Sequence, residues 1–212
     1  MPQPKPGEGI EANGPSSPGP GDFMDSFLVS TGVVALSEIG DKTQLLALLL
    51  ASRFRRPVPI ILGMLVATTL NHALAALAGA WVASAVAPEV LRWGLALCFL
   101  AVAVWALIPD KLDESRVANF AAGSAFVATA IAFFCAEIGD RTQLATAALA
   151  AKFDTVLPVV AGTTLGMMLA NIPAVLAGHA AGHRISGKWV RWLAAAVSAA
   201  LAAMTPLGMS PV

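Results

Sequence analysis

Charge is scarce in this 212-residue chain, at 12% of residues against about 25% in an average soluble domain. The 13 basic and 13 acidic side chains also cancel, so no net positive field exists to attract nucleic acid. Cysteine is nearly absent. Cys98 and Cys135 both lie in apolar stretches, with no zinc-ligand spacing and no disulfide framework, and are expected to be small buried packing residues. Residues 1–22 have almost no large apolar side chains and hold six of the 14 prolines. Such a segment cannot offset the entropy of ordering and reads as a disordered tail. It has neither the basic start and apolar run of a signal peptide nor the Arg/Ser richness of a transit peptide. These absences exclude a soluble enzyme, a nucleic-acid binder and a wholly disordered protein.

What the chain does have is long apolar runs. Hydrophobic residues make up 57%, and the mean hydropathy is +0.74. Runs at 27–50, 58–80, 90–108, 125–149, 156–178 and 189–207 are each long enough for a helix to cross a hydrocarbon core of about 30 Å. The expected fold is an all-α integral membrane protein with six transmembrane helices. Trp81, Trp93, Trp105, Trp189 and Trp192 fall near span ends, where interfacial anchors belong. Lys5, Arg92 and Lys152 fall on the side of the tail. Arg53, Arg55, Arg56, Lys111, Arg116, Arg184, Lys188 and Arg191 fall on the other. Eight against three makes the second side cytoplasmic and puts both termini outside the cytosol.

The chain repeats itself at an offset of 99. Ten of the seventeen positions from Glu38 to Phe54 recur identically between Glu137 and Phe153. Pro59 pairs with Pro158, Gly63 with Gly162, Gly79 with Gly178, and Arg92-Trp93 with Arg191-Trp192. Two greasy helices would match by chance at Leu and Ala, not at Glu-Ile-Gly-Asp, so this is a duplication. It divides the chain into the tail (1–22), a first three-helix repeat (23–108), a cytoplasmic connector (109–120) and a second three-helix repeat (121–212). Three spans per repeat is odd, so the halves are expected to be inverted, as in many secondary transporters.

Four acids sit where lipid should forbid them. Glu38 and Asp41, and Glu137 and Asp140, fall near the middle of the first and fourth runs. A carboxylate there costs at least about 2.5–3.5 kcal/mol, and intramembrane acids commonly mark ion pathways. On a continuous helix, residues three apart share one face. Lys42 and Arg141 follow each Glu by four, the spacing of an intrahelical ion pair. Four acids and two bases leave a formal charge of −2, which one divalent cation or two protons would neutralise. Competition between them is the chemistry of an exchanger. Gln44, Gln143, Thr43 and Thr142 add neutral oxygens, and Gly40 and Gly139 permit a kink or a close approach. The oxygen-only donor set favours Ca²⁺, Mn²⁺ or Mg²⁺.

Glu38-Ile39-Gly40-Asp41-Lys42-Thr43 and Glu137-Ile138-Gly139-Asp140-Arg141-Thr142 resemble the paired E-x-G-D-[KR]-[ST] signatures of the Golgi calcium/manganese transporter family. That family includes bacterial manganese exporters and plastid relatives. The resemblance spans Phe23 to the C-terminus. It implies a six-helix, two-repeat transporter of Mn²⁺ and/or Ca²⁺, exchanging them against protons, with Glu38, Asp41, Glu137 and Asp140 as metal ligands. Lys42, Thr43, Gln44, Arg141, Thr142, Gln143, Gly40 and Gly139 are the supporting residues. The metal is then cargo, with no cofactor expected and no enzymatic activity. Its partners are the metal ion, protons and the lipid bilayer, and a homo-oligomer is compatible with the sequence. A short chain without a cleavable targeting segment suggests a bacterial cytoplasmic membrane, and the orientation then points to export from the cytosol. The alternative is a passive divalent-cation channel or uniporter.

Thr68, Thr69, Asn71, Thr163, Thr164 and Asn171 are read as second-layer donors or as helix–helix hydrogen-bonding residues. His72 and His179 lack ligand partners at helical spacing and read as packing or interfacial histidines.

Overall fold

In the computed structural model, residues 20–106 and 124–181 are described. They form seven α-helices, with no strand among the described residues: α1 Pro20–Glu38, α2 Lys42–Phe54, α3 Pro57–Ala85, α4 Pro88–Ala106, α5 Ala125–Glu137, α6 Arg141–Phe153 and α7 Leu157–Ala181. The tail up to residue 19, the connector at 109–120 and the sixth run at 189–207 lie outside the described residues.

Among the described residues, three helices are long and apolar enough to cross a membrane: α3, α4 and α7. The first run is not the single helix expected from its hydropathy. It divides into α1 and α2, bent by 73° at a short break, and together these can make a fourth span. The run at 125–149 divides in the same way into α5 and α6, of 13 residues each. Both breaks correct the expectation of continuous spans, and their cause is local. Gly40 (φ 81°) and Gly139 (φ 74°) adopt left-handed backbone, which glycine enters without steric cost and which ends a helix. The next residue, Asp41 or Asp140, then caps a new helix by accepting from the N–H of Thr43 or Thr142. The N–H groups of Gly40 and Gly139 donate to Gln44 Oε1 (2.9 Å) and Gln143 Oε1 (3.0 Å). This is a close relative of the capping box, in which the third helical residue reaches back.

Each broken helix packs on the long helix of the other half. α1 and α2 lie against α7, while α5 and α6 lie against α3. Glycines let these backbones meet. A Cβ on Gly63 would strike the carbonyl of Phe126, and one on Gly162 that of Phe27. A Cβ on Gly79 would strike Ala147, and one on Gly178 the carbonyl of Leu48. Each pair of contacts maps onto the other at the offset of 99. Gly162 and Gly166, four apart, form the small-residue stripe that seats α1, as is usual where van der Waals contact must replace hydrophobic drive. Leu46, Leu50, Ile60, Met64, Phe133 and Met168 fill the main core. Leu97, Leu100, Val104, Leu165, Leu169 and Leu176 stand exposed, as expected of side chains with lipid for solvent.

Cys135 is exposed and Cys98 half-buried, which corrects the expectation that both are buried. A small apolar side chain gains little by leaving hydrocarbon for a protein interior, so burial rules from water do not apply.

Candidate cation site

The two breaks meet between the halves. Glu38 closes α1 and Glu137 closes α5, while Asp41 and Asp140 open α2 and α6. Acid and Asp are therefore not one turn apart on one helical face, as a continuous helix would place them. A tight turn separates them, held by Asp41 N–H to Glu38 O (3.1 Å) and Asp140 N–H to Glu137 O (3.0 Å). All four acids are buried, none more than 2% exposed. One oxygen each from Glu38, Asp41 and Asp140 lies within 4.8 Å of the others. Carboxylates from both halves thus converge on one point, in reach of a single hard cation.

The basic residues do something the intrahelical spacing did not suggest. Lys42 Nζ pairs with Asp140 Oδ1, and Arg141 pairs with Asp41 Oδ1. Each base crosses to the aspartate of the other half, because the break removes the helical register that would have set it over its own Glu. Arg141 also donates to the carbonyl of Ser37 (3.0 Å). Its side chain is 5% exposed, that of Lys42 19%.

The two glutamates differ in surroundings. Glu38 Oε2 accepts from Thr43 Oγ1 (2.6 Å), whereas Thr142 Oγ1 donates to Asp140 Oδ2 (3.1 Å). Glu137 stands outside the convergent triplet. Its Oε1 accepts from Thr68 of α3 (3.0 Å), and its Oε2 lies 3.8 Å from Nε2 of a fully buried His72. Asn71 ties α3 to both sides of the second break, donating to Phe134 O (3.1 Å) and accepting from Gln143 Nε2 (3.0 Å). Gln44 reaches instead to the carbonyl of Ala170 (3.0 Å), the position that matches Asn71. Gln44 and Gln143 therefore brace the breaks with both ends of their amides. Thr163 and Asn171 bond within α7, to Val159 O (2.9 Å) and Met167 O (3.0 Å). A cavity of about 310 Å³, lined by Ala75, Trp105, Gly139, Asp140 and Gln143, opens beside the second break.

Sequence reasoning read His72 as a packing or interfacial histidine and did not place it beside Glu137, where the structure sets it. The signal was present: at the offset of 99 it aligns with Asn171, another polar residue in an apolar helix.

Comparison with known proteins agrees with the geometry. The family described as divalent cation/proton antiporter GDT1 matches residues 26–114 and 125–210. A protein of Vibrio cholerae serotype O1 named "Putative manganese exporter" is 54% identical over 156 residues, covering 73% of this chain and 77% of its own. A GDT1-like protein of Synechocystis is 31% identical over 186 residues, 79% of this chain and 90% of its own. GDT1-like protein 3 of Oryza sativa subsp. indica is 30% identical over 201 residues, 81% and 70%. No solved structure matches. With buried acids on apolar helices and a family match over both halves, the chain belongs to the GDT1 family of divalent cation/proton antiporters and is a membrane protein of cation transport.

Proposed function

We propose that the chain is a secondary transporter that exports Mn²⁺ from the cytosol in exchange for protons, with Ca²⁺ as the alternative cargo. Glu38, Asp41 and Asp140 hold the ion, with Glu137 beside them. The observation that carries this reading is the convergence of three buried carboxylates from both halves, two of them tied crosswise to Arg141 and Lys42. A divalent cation entering the cluster takes over as counter-charge to the aspartates and displaces the two bases. Because each base comes from the opposite half, occupancy of the site changes how the halves grip each other. That is the coupling an alternating-access carrier needs, and six spans in two inverted repeats would supply its two gates. Protons compete for the same crowded oxygens, so acid should expel metal and metal should expel protons.

Manganese is favoured by the name of the Vibrio cholerae relative. Export is favoured by the Lys/Arg asymmetry, with both termini outside, and a bacterial cytoplasmic membrane by the bacterial source of the Vibrio cholerae relative. The test is flux in proteoliposomes holding the purified chain, with Mn²⁺, Ca²⁺ and Mg²⁺ offered separately under an imposed pH gradient. Metal movement driven by the pH gradient alone, with protons moving in return, is the expected result. Flux that follows only metal gradient and voltage would replace the exchanger with a uniporter or channel.

A further inference from the structure

His72 and Glu137 form a pair that the three-carboxylate cluster does not use. His72 projects from α3 with no exposed surface, and neither Nδ1 nor Nε2 has a hydrogen-bond partner. Glu137 Oε2, facing it at 3.8 Å, also has none. Buried polar atoms left unpaired are costly, and three of them at one place call for an occupant. A histidine serving only to pack would bond at least one nitrogen or give way to an apolar residue. Two ligands about 2.1 Å from one metal ion can be at most about 4.2 Å apart, so the pair can share one. Thr68 holds the other oxygen of Glu137 and so aims Oε2 at the imidazole. The arrangement belongs to one half alone. At the offset of 99, Asn171 stands for His72 and Met167 for Thr68.

We propose that His72 and Glu137 form a nitrogen-and-oxygen coordination position on the ion's path, which selects manganese-type transition ions over Ca²⁺ and Mg²⁺. This rests on the transporter reading and deepens it. Manganese shares the oxygen ligands of calcium and magnesium and stands lowest of the first-row divalent ions in affinity for nitrogen, but unlike calcium and magnesium it belongs to the transition series that accepts imidazole. The convergent triplet offers only oxygen and cannot by itself make that distinction. The histidine adds the one donor that can.

The test has two arms on the full chain. In proteoliposomes, His72→Asn and His72→Gln should lower the ratio of Mn²⁺ to Ca²⁺ flux about tenfold, mainly through Mn²⁺. An unchanged ratio, or equal loss of both fluxes, would mark His72 as a packing residue and overturn the proposal. The second arm needs no functional variant: pulsed electron paramagnetic resonance of Mn²⁺ bound to the unmodified protein should show coupling to a directly bound nitrogen. Bound Mn²⁺ without that coupling, or coupling that survives in His72→Asn, overturns it even if a variant folds poorly. Absence of any divalent flux in the unmodified protein would instead strike the transporter reading, and would show before any substitution is made.

Discussion

Asp41 and Asp140 divide their two oxygens between two tasks. Oδ2 caps the following helix through the N–H of Thr43 or Thr142 (3.3 Å each), while Oδ1 meets the base from the other half. Asparagine caps a helix as well as aspartate does but brings no charge. Asp140→Asn should therefore keep α6 intact yet cut metal transport by about 10–100-fold, the worth of one charge-assisted contact. Glu38→Gln should do the same. Normal flux in either purified variant would remove these residues from the site. Arg141 yields a second prediction. Its removal strands Asp41 in a buried position, where breaking one ion pair costs about 3–5 kcal/mol. Arg141→Gln should lower stability by that order in detergent unfolding, and adding Asp41→Asn should restore much of it. Lys42→Gln should cost less, because Lys42 is the more exposed base.

At the scale of the element, the decisive features are the two breaks. The apolar pattern runs straight through them, so hydropathy reports one span where the backbone makes two helices. The evidence for a break lay in the residue types: Gly-Asp followed two and three residues later by Thr-Gln, a helix stop joined to a helix start. Gly139 has open space where a Cβ would go, so only its backbone conformation resists substitution. Gly139→Ala should cost about 1–2 kcal/mol, while Gly139→Asn, which tolerates the left-handed region, should cost less. Thermal unfolding of the two variants side by side measures the difference. Equal stability would mean that the turn can be made another way.

Across the whole molecule, packing is exchanged between halves: α1 and α2 on α7, α5 and α6 on α3. The three convergent carboxylates come from both halves, Glu38 and Asp41 from the first and Asp140 from the second. The proposed orientation makes a prediction at this scale. In intact cells, cysteines introduced into the tail should react with an impermeant external reagent, and those at 53–56 and 109–120 should be protected, after replacement of Cys98 and Cys135. A protected tail would contradict the orientation.

The linear sequence by itself determined the solvent of the chain, its duplication and the four acids, because composition, periodicity and motif spacing are local or countable properties. It also located the glycines and allowed a kink at them, though not a full break between two helices. The crosswise ion pairs, the separation of Glu137 from the other three acids and the burial of His72 beside it were decided only by tertiary structure. The reason is physical. Intrahelical spacing predicts partners only while the helix continues, and here it ends at each glutamate itself, four residues before the base. Once the chain turns at Gly40 and Gly139, Lys42 and Arg141 point toward the other half, and which carboxylate they meet depends on the packing of α1 and α2 on α7 and of α5 and α6 on α3.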